Sequence, residues 1–129
     1  MAEEKKTILI MEDEEALLES YAEILEAQGW KVLKAPDGYK GMQALIDNKP
    51  KVDLVLLDLM MPGIDGLEVL RNIKDNPDKY GEMPVIVLTA MVSDKVIKEA
   101  YEIGAKSYLI KSELNSEDIV NEIKRVMLG

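Results

Sequence analysis

The 129-residue sequence predicts an α/β domain, a doubly wound five-stranded parallel sheet with five helices. Short apolar runs without polar alternation, such as residues 54–57, are typical of strands that are buried on both faces. Between these runs lie segments of about ten to fourteen residues in which apolar side chains recur at helical spacing. Strand and helix alternate along the whole chain, which is the pattern of a parallel sheet with helical crossovers.

The first strand is predicted at residues 7–11, an apolar run that ends at a cluster of acids, and the second at residues 30–35. The segment between them is predicted as the first helix because one face of it is mainly apolar. That face carries Leu17, Tyr21, Ile24, Leu25 and Gln28. Gly29 follows directly and is predicted to end the helix, since glycine favours the position after a helix.

A second helix is predicted after the turn at residues 36–38. It runs toward Asn48, and Lys49 and Pro50 are predicted to break it before the next strand. Its apolar face carries Met42, Leu45 and Ile46.

Residues 54–57 are predicted as the third strand, and Pro62 follows its end closely. A third helix is predicted to begin after Gly66 and to end near Asn76. Its apolar residues are Leu67, Leu70 and Ile73. Residues 77–83 are predicted as a polar loop.

The last part of the chain repeats the same alternation. The β-branched segment at residues 84–89 is predicted as the fourth strand, and Asp94 opens the fourth helix, which ends at Gly104. This helix carries Val96, Ile97, Ala100 and Tyr101 on its packing face. Residues 107–110 are predicted as the fifth strand, and the fifth helix starts at about Asn115.

Composition narrows the possible functions. The 25 acids and 16 bases give a net charge of −9, which argues against direct binding of nucleic acid or of an anionic membrane surface. The sequence has no cysteine and no histidine, which excludes thiolate or imidazole metal ligands and catalysis that depends on histidine. Its polar start lacks the apolar core of a signal peptide, so we expect one cytoplasmic domain over residues 1–129.

Polar residues follow four of the predicted strands at the point where each strand ends. These residues are Glu12 and Asp13, Asp58, Thr89 and Lys111. The carboxyl ends of parallel strands meet at one edge of the sheet, which is where ligands bind in such folds. Three neighbouring carboxylates repel one another unless a cation lies among them, and oxygen ligands suit Mg²⁺. Together with an ammonium group and a hydroxyl, this set predicts a site that handles phosphoryl groups.

Asp58 is the acid nearest the centre of the predicted sheet. Its carboxylate is a possible nucleophile that would form an aspartyl phosphate. Taken alone, it is equally well explained as a turn or cap residue, because aspartate favours such positions. Only its predicted convergence with the other strand-end residues favours a functional role.

Four motifs in order make the sequence resemble the receiver domain of two-component response regulators, in its single-domain, chemotaxis-regulator-like form. The motifs lie at residues 8–14, 53–66, 84–90 and 104–111 and span essentially the whole chain. The resemblance implies a flavodoxin-like fold with strand order 2-1-3-4-5. It also implies a function in a phosphorelay.

The resemblance further implies that Asp58 accepts a phosphoryl group from a phosphohistidine, carried by a histidine kinase or a histidine phosphotransfer protein. It implies that Asp13, Asp58 and the backbone carbonyl of Met60 bind Mg²⁺ directly, while Glu12 contributes through water. Lys111 would pair with the phosphoryl oxygens.

Thr89 would move to hydrogen-bond the phosphoryl group, and Tyr108 matches the family's switch aromatic. The surface of the fourth helix, fifth strand and fifth helix would change with it and contact a downstream protein of unknown identity. We expect a monomer or a weak phosphorylation-dependent dimer. One departure is Ser112, which stands where many receivers have proline after the lysine.

Three alternative functions are open to a domain of this fold class. A receiver of this kind would catalyse its own phosphorylation and dephosphorylation and would not act on external substrates. An aspartyl phosphatase would usually have a second aspartate two residues after the nucleophile, where this chain has Met60. A flavin-binding module would need a phosphate loop after the first strand, where this chain has acids. A docking module that has lost phosphorylation is a further alternative.

Overall fold

A computed structural model describes residues 5–49 and 51–128. Its five strands are β1 (Thr7–Met11), β2 (Lys31–Ala35), β3 (Leu54–Leu57), β4 (Val85–Thr89) and β5 (Ser107–Ile110). Its helices are α1 (Glu15–Glu26), α2 (Gly38–Asn48), α3 (Gly66–Asp75), α4 (Pro77–Tyr80), α5 (Asp94–Ile103) and α6 (Ser116–Leu128). A single 3₁₀ turn, Lys111–Glu113, follows β5. All strand pairs are parallel and the order is β2-β1-β3-β4-β5, so the predicted flavodoxin-like fold is confirmed.

The sheet separates two hydrophobic layers because neighbouring residues of a strand face opposite sides. In β1, Leu9 and Met11 belong to the layer under α2, α3 and α5, whereas Ile8 and Ile10 belong to the layer under α1 and α6. Each layer is built from side chains with almost no exposed surface. This double burial explains why the strand sequences lack polar alternation.

The structure has one helix more than predicted. Residues 77–83 were expected to form a polar loop, but Pro77–Tyr80 is a short helix, α4, in which Tyr80 is buried in the layer under α2 and α3. Proline at the first turn is compatible with a helix, and Gly81 ends it with φ 94°. A helix of this length is too short to be stable alone, so the packing of Tyr80 accounts for it.

Three side chains that the sequence places on packing faces are exposed, and one of them is Gln28, which follows α1. Ile46 of α2 and Tyr101 of α5 lie at the margins of their apolar faces, and Leu18 rather than Leu17 is the buried residue at the start of α1. Pro50, the predicted helix breaker, and residues 1–4 of the polar start lie outside the described residues. Among the described residues, no helix combines the length and apolarity that a membrane crossing requires.

Candidate functional site

The site lies at the carboxyl edge of the sheet, where sheet register brings two acids side by side. Met11 and Leu57 are partners in the β1–β3 pairing, so the residues that follow them, Glu12 and Asp58, leave the sheet as neighbours. The backbone fixes both residues. The N–H of Asp58 donates to the carbonyl of Met11 at 3.1 Å, and that of Glu12 donates to the carbonyl of Ala35 at 3.0 Å.

Three carboxylates meet at this edge. Glu12, Asp13 and Asp58 each place one carboxylate oxygen within 4.8 Å of the others. Glu12 and Asp58 are almost fully buried, with 1% and 4% of their surface exposed, whereas Asp13 is exposed. Two buried carboxylates at this distance are unfavourable unless positive charge compensates them.

Lys111 supplies one positive charge between the two buried acids. Its Nζ donates to Glu12 Oε1 at 2.5 Å and to Asp58 Oδ2 at 2.9 Å. Burial opposes the charge of this ammonium, but the hydrogen bonds to both carboxylates outweigh burial and raise the pKa of Lys111. The lysine therefore stays protonated throughout the physiological range.

The pKa of Glu12 is also raised, which for a carboxylic acid favours the uncharged form. Burial raises the pKa of Glu12, and the hydrogen bonds from Lys111 and from the N–H of Glu14 compensate only in part. The negative charge of Asp58 adds to the increase. The salt bridge alone would lower this pKa, so desolvation is the larger effect for this carboxylate.

The loop after β3 holds the other oxygen of Asp58. Asp58 Oδ1 accepts the backbone N–H of Met60 at 2.9 Å, so each oxygen of this carboxylate has one donor. Gly66 lets the loop approach α3 closely, because a Cβ at this position would lie 2.4 Å from the Cα of Leu59. Asp65 begins α3 by accepting the N–H of Leu67 at 2.8 Å.

The side chains of Thr89 and Tyr108 both form a hydrogen bond with the backbone of Met91. Thr89 is fully buried and its Oγ1 accepts the N–H of Met91 at 3.4 Å. The hydroxyl of Tyr108 donates to the carbonyl of the same Met91 at 3.0 Å. On the other side, the N–H of Tyr108 donates to the hydroxyl of Tyr101 at 3.0 Å. The two predicted switch residues thus contact one short segment after β4.

The charge at this edge suits a divalent cation. Three carboxylates and one ammonium leave a net charge of −2, and the carboxylate oxygens are hard ligands. Among the described residues every buried side-chain nitrogen and oxygen has a hydrogen-bond partner. The acids are therefore held in place by protein contacts, while their summed charge still favours Mg²⁺.

The structure brings together most of the side chains predicted to form the site. Glu12, Asp58 and Lys111 are in direct contact, and Asp13 lies beside them. Sequence reasoning missed the backbone of Met91 as the link between Thr89 and Tyr108, since a backbone contact leaves no side-chain signal. It also missed the hydrogen bond from Tyr108 to Tyr101, because the sequence of a half-buried and an exposed tyrosine gives no sign of which atoms they contact.

Comparison with known proteins agrees with this geometry. A family model described as the response regulator receiver domain matches residues 8–124. The phosphate regulon transcriptional regulatory protein PhoB of Pseudomonas aeruginosa is 34% identical over 122 residues, which are 95% of this chain and 52% of that protein. The chain thus spans about half the length of the curated relatives it matches.

Two solved structures are similar over nearly their whole length. A CheY-like response regulator receiver domain protein from Methanospirillum hungatei has a TM-score of 0.86 and 29% identity, covering 96% of this chain and 94% of its own. The BeF3-activated N-terminal receiver domain of Klebsiella pneumoniae RstA has a TM-score of 0.84 and 26% identity, covering 95% and 98%.

Proposed function

The chain belongs to the family of response regulator receiver domains, and from this premise we propose that Asp58 is its phosphoacceptor. The phosphoryl donor is the phosphohistidine of a histidine kinase or of a histidine phosphotransfer protein. A carboxylate oxygen of Asp58 attacks phosphorus, the P–N bond of the donor breaks, and the electron pair of that bond returns to the imidazole nitrogen.

One observation carries this assignment. Asp58 is the buried acid at the end of the central strand, and it lies at the meeting point of the other charged groups. Lys111 Nζ is 2.9 Å from it, and Glu12 and Asp13 place carboxylate oxygens within 4.8 Å. A structural aspartate needs a donor or a cap partner, but it does not need two further carboxylates at this distance.

Mg²⁺ is the proposed cofactor, held by Glu12, Asp13 and Asp58 with the backbone carbonyl of Met60. When bound, it supplies positive charge that favours binding of the phosphoryl oxygens. Lys111 remains protonated and lies against Asp58, where it can pair with a phosphoryl oxygen.

The proposed response travels through the segment after β4. Thr89 donates its hydroxyl to the phosphoryl group, which weakens its contact with the N–H of Met91, and Met91 in turn contacts the hydroxyl of Tyr108. Tyr108 then alters the surface formed by α5, β5 and α6, which are the predicted fourth helix, fifth strand and fifth helix. A downstream protein that recognises this surface is the proposed target.

We place the domain, over residues 1–129, in the cytoplasm and assign it catalysis of its own phosphorylation and dephosphorylation only. The net charge of −9 is unfavourable for direct binding to nucleic acid or to an anionic membrane, so we propose neither as a partner. Neither a docking module without phosphorylation nor an aspartyl phosphatase is favoured by any feature of the site.

The proposal is tested by the mass of the intact protein. Wild type incubated with Mg²⁺ and acetyl phosphate is expected to gain one phosphoryl group, and Asp58→Asn is expected to gain none. Asp75→Asn, an exposed aspartate at the end of α3, is the matched control and should behave as wild type. Equal mass gain in wild type and Asp58→Asn would remove Asp58 from the role.

A further inference from the structure

A cavity lies at the edge of the sheet opposite Asp58. It has a volume of about 490 Å³, and its lining includes Ile73, Lys74, Glu82, Met83, Lys106 and Val126. Lys106 immediately precedes β5 and Met83 lies just before β4, so the cavity is at the amino ends of these strands. The five-residue strand β4 separates the two edges by about 17 Å, at roughly 3.3 Å per residue.

Two ammonium groups share this cavity. In the described part of the chain, neither Lys74 nor Lys106 has a carboxylate oxygen within 4.0 Å, although Glu82 is also in the lining. Burial lowers the pKa of Lys74, the charge of Lys106 lowers it further, and the charge of Glu82 offsets part of this effect. The two lysines thus repel each other. Together with Glu82 they give the lining of the cavity a net charge of +1, whereas the whole chain has a net charge of −9.

Lys74 is held in a fixed position. Its Nζ donates to the carbonyl of Met83 at 3.0 Å, which uses one of the three N–H donors of an ammonium group. Its Cγ, Cδ and Cε pack against Gly104, 3.3–3.4 Å from the point where a Cβ would lie. Gly104 has φ 134°, a conformation that glycine adopts readily. Because glycine has no Cβ, the lysine side chain can also lie close to the backbone at this position.

The remaining walls are mainly apolar. Their accessible surface comes from Pro77, Pro84 and Val126, because Ile73 and Met83 are buried in the hydrophobic layer beneath, with 1% and 8% of their surface exposed. The cavity therefore places unneutralised positive charge beside apolar surface, within the size range of small-molecule sites. A small inorganic ion would make no apolar contact with these walls. A neutral molecule would bring no negative charge to the two ammonium groups.

We propose that this cavity binds a small monoanionic carboxylate with an apolar body. The carboxylate lies between Lys74 and Lys106, and the body lies against Pro77, Pro84 and Val126. The single negative charge neutralises the local net charge of +1, whereas a dianion such as phosphate would leave the cavity with a net charge of −1. This site is independent of the function proposed for Asp58.

The probe for the test is 3-phenylpropionate, with its neutral counterpart 3-phenylpropanamide and inorganic phosphate as comparisons. Each is titrated into the complete chain while backbone NMR shifts are followed. For the carboxylate we expect saturable shifts at residues 73, 81–83 and 106, with a dissociation constant of about 1 mM or tighter. The same titration of Asp58→Asn should give the same affinity.

Variants separate charge from packing. Lys106→Gln removes an exposed charge with no hydrogen bond to the core, and it is expected to weaken binding on the order of tenfold. Lys74→Arg keeps the charge and should bind better than Lys74→Gln. Lys95→Gln, at the start of α5, is the matched control and should bind as wild type.

Three results would overturn the proposal. The first is an absence of saturable shifts at the cavity in wild type. The second is equal binding of carboxylate and amide, or unchanged affinity in Lys106→Gln, since either would show that charge is not recognised. The third is tighter binding of phosphate than of 3-phenylpropionate, since this would show that the apolar walls contribute nothing.

Discussion

At the scale of single residues, the adjacent acids Glu12 and Asp13 occupy different environments. Glu12 is buried against Lys111 and its pKa is raised, whereas Asp13 is exposed to solvent. The difference arises because Glu12 follows directly from β1 and points into the sheet edge, while Asp13 lies beyond it. Exposed Asp13 can approach an ion from solvent, and buried Glu12 fixes Lys111 in place.

The side chains that border the proposed phosphorylation site predict a long-lived phosphoryl group. Met60 and Met91 lie two positions after Asp58 and Thr89, and their backbone N–H groups bond to those two side chains. Met60 is 53% exposed, and a thioether is a poor partner for an attacking water. We expect Met60→Asn combined with Met91→Glu to lose the phosphoryl group several-fold faster, by roughly 1 kcal/mol of barrier.

The measurement is the decay of phosphorylated protein after removal of the donor. The double variant Met60→Leu with Met91→Leu retains apolar side chains and is the control, with a decay rate close to that of wild type. A polar double variant that decays no faster than this control would contradict the role of these two positions.

At the scale of elements, a polar network joins β5 to α6. Ser107 donates to Glu122, and Arg125 donates to both oxygens of that carboxylate at 2.7 and 2.8 Å. The hydrogen bonds from Arg125 lower the pKa of Glu122 from its ordinary value of 4.5, burial opposes this effect, and Ser107 assists it. The charged carboxylate therefore stabilises the packing of α6 on the last strand.

The sign of this pKa change predicts how Glu122→Gln depends on pH. An acid with a lowered pKa stabilises the fold above its unfolded value, and the gain is lost as pH falls through the folded pKa. At pH 7 we expect the variant to lose about 1 kcal/mol of unfolding free energy, since Arg125 is largely exposed. The loss should vanish well below pH 4.5.

Urea unfolding at several pH values measures this difference. Glu102→Gln replaces an exposed residue of α5 and is the control, with an unfolding free energy expected close to that of wild type at pH 7. A constant difference between Glu122→Gln and wild type from pH 7 to pH 3 would indicate that packing, rather than charge, determines the effect.

The contact between α3 and the loop after β3 gives a second element-scale prediction. In Gly66→Ala, the added Cβ would meet the backbone of Leu59 at 2.4 Å, so the loop that donates to Asp58 must shift. We expect a loss of about 1–3 kcal/mol in stability and slower phosphorylation by acetyl phosphate.

Gly29→Ala separates these two effects. Gly29 has φ 91° and no atom within 4 Å of the added Cβ, so alanine there strains the backbone without moving the site. The variant should lose stability but keep the wild-type phosphorylation rate. Normal phosphorylation in Gly66→Ala would show that the loop adapts without disturbing Asp58.

Element boundaries show where sequence patterns are sufficient. The strands were predictable because burial on both faces removes polar residues from runs such as Leu54–Leu57. Helix α4 was not, since four residues cannot display a helical period and its stability depends on the burial of Tyr80. The exposure of Ile46 and Tyr101 was missed because periodicity locates a face but not its margins.

For the whole molecule, occupancy of the acidic site should change global stability. A cation that binds only the folded carboxylates adds about 2.7 kcal/mol at a concentration a hundred times its dissociation constant. We expect Mg²⁺ to raise the melting temperature of wild type relative to EDTA. Asp13→Asn should gain much less, because it removes one of the three carboxylates proposed to hold the ion.

Thermal melts with EDTA and with Mg²⁺ provide the measurement, and Asp75→Asn is the control that should gain as much as wild type. An equal gain in Asp13→Asn and wild type would place the ion elsewhere. Stabilisation by Na⁺ at equal ionic strength would point to general screening of the net charge of −9.

The sequence predicted the convergence of the site but not its contacts. Glu12, Asp58 and Lys111 could be assigned to one edge because each follows a parallel strand. That Lys111 bridges both acids, across 99 positions in one case, depends on side-chain conformations that no local pattern encodes. The cavity at Lys74 was equally invisible, because it forms from segments distant in sequence.

The bridge from Lys111 also makes the acidic pocket comparable to an ion-exchange site. Two of its three carboxylates, Glu12 and Asp58, are already paired with a cation that is part of the chain, the ammonium group of Lys111. A cation that enters the pocket would compete with this ammonium group for the two carboxylates. Its measured affinity would then be the difference between its own interaction with the carboxylates and that of Lys111. A change in the position of the Lys111 ammonium group would therefore change which cation the pocket prefers, although the carboxylates themselves were unchanged.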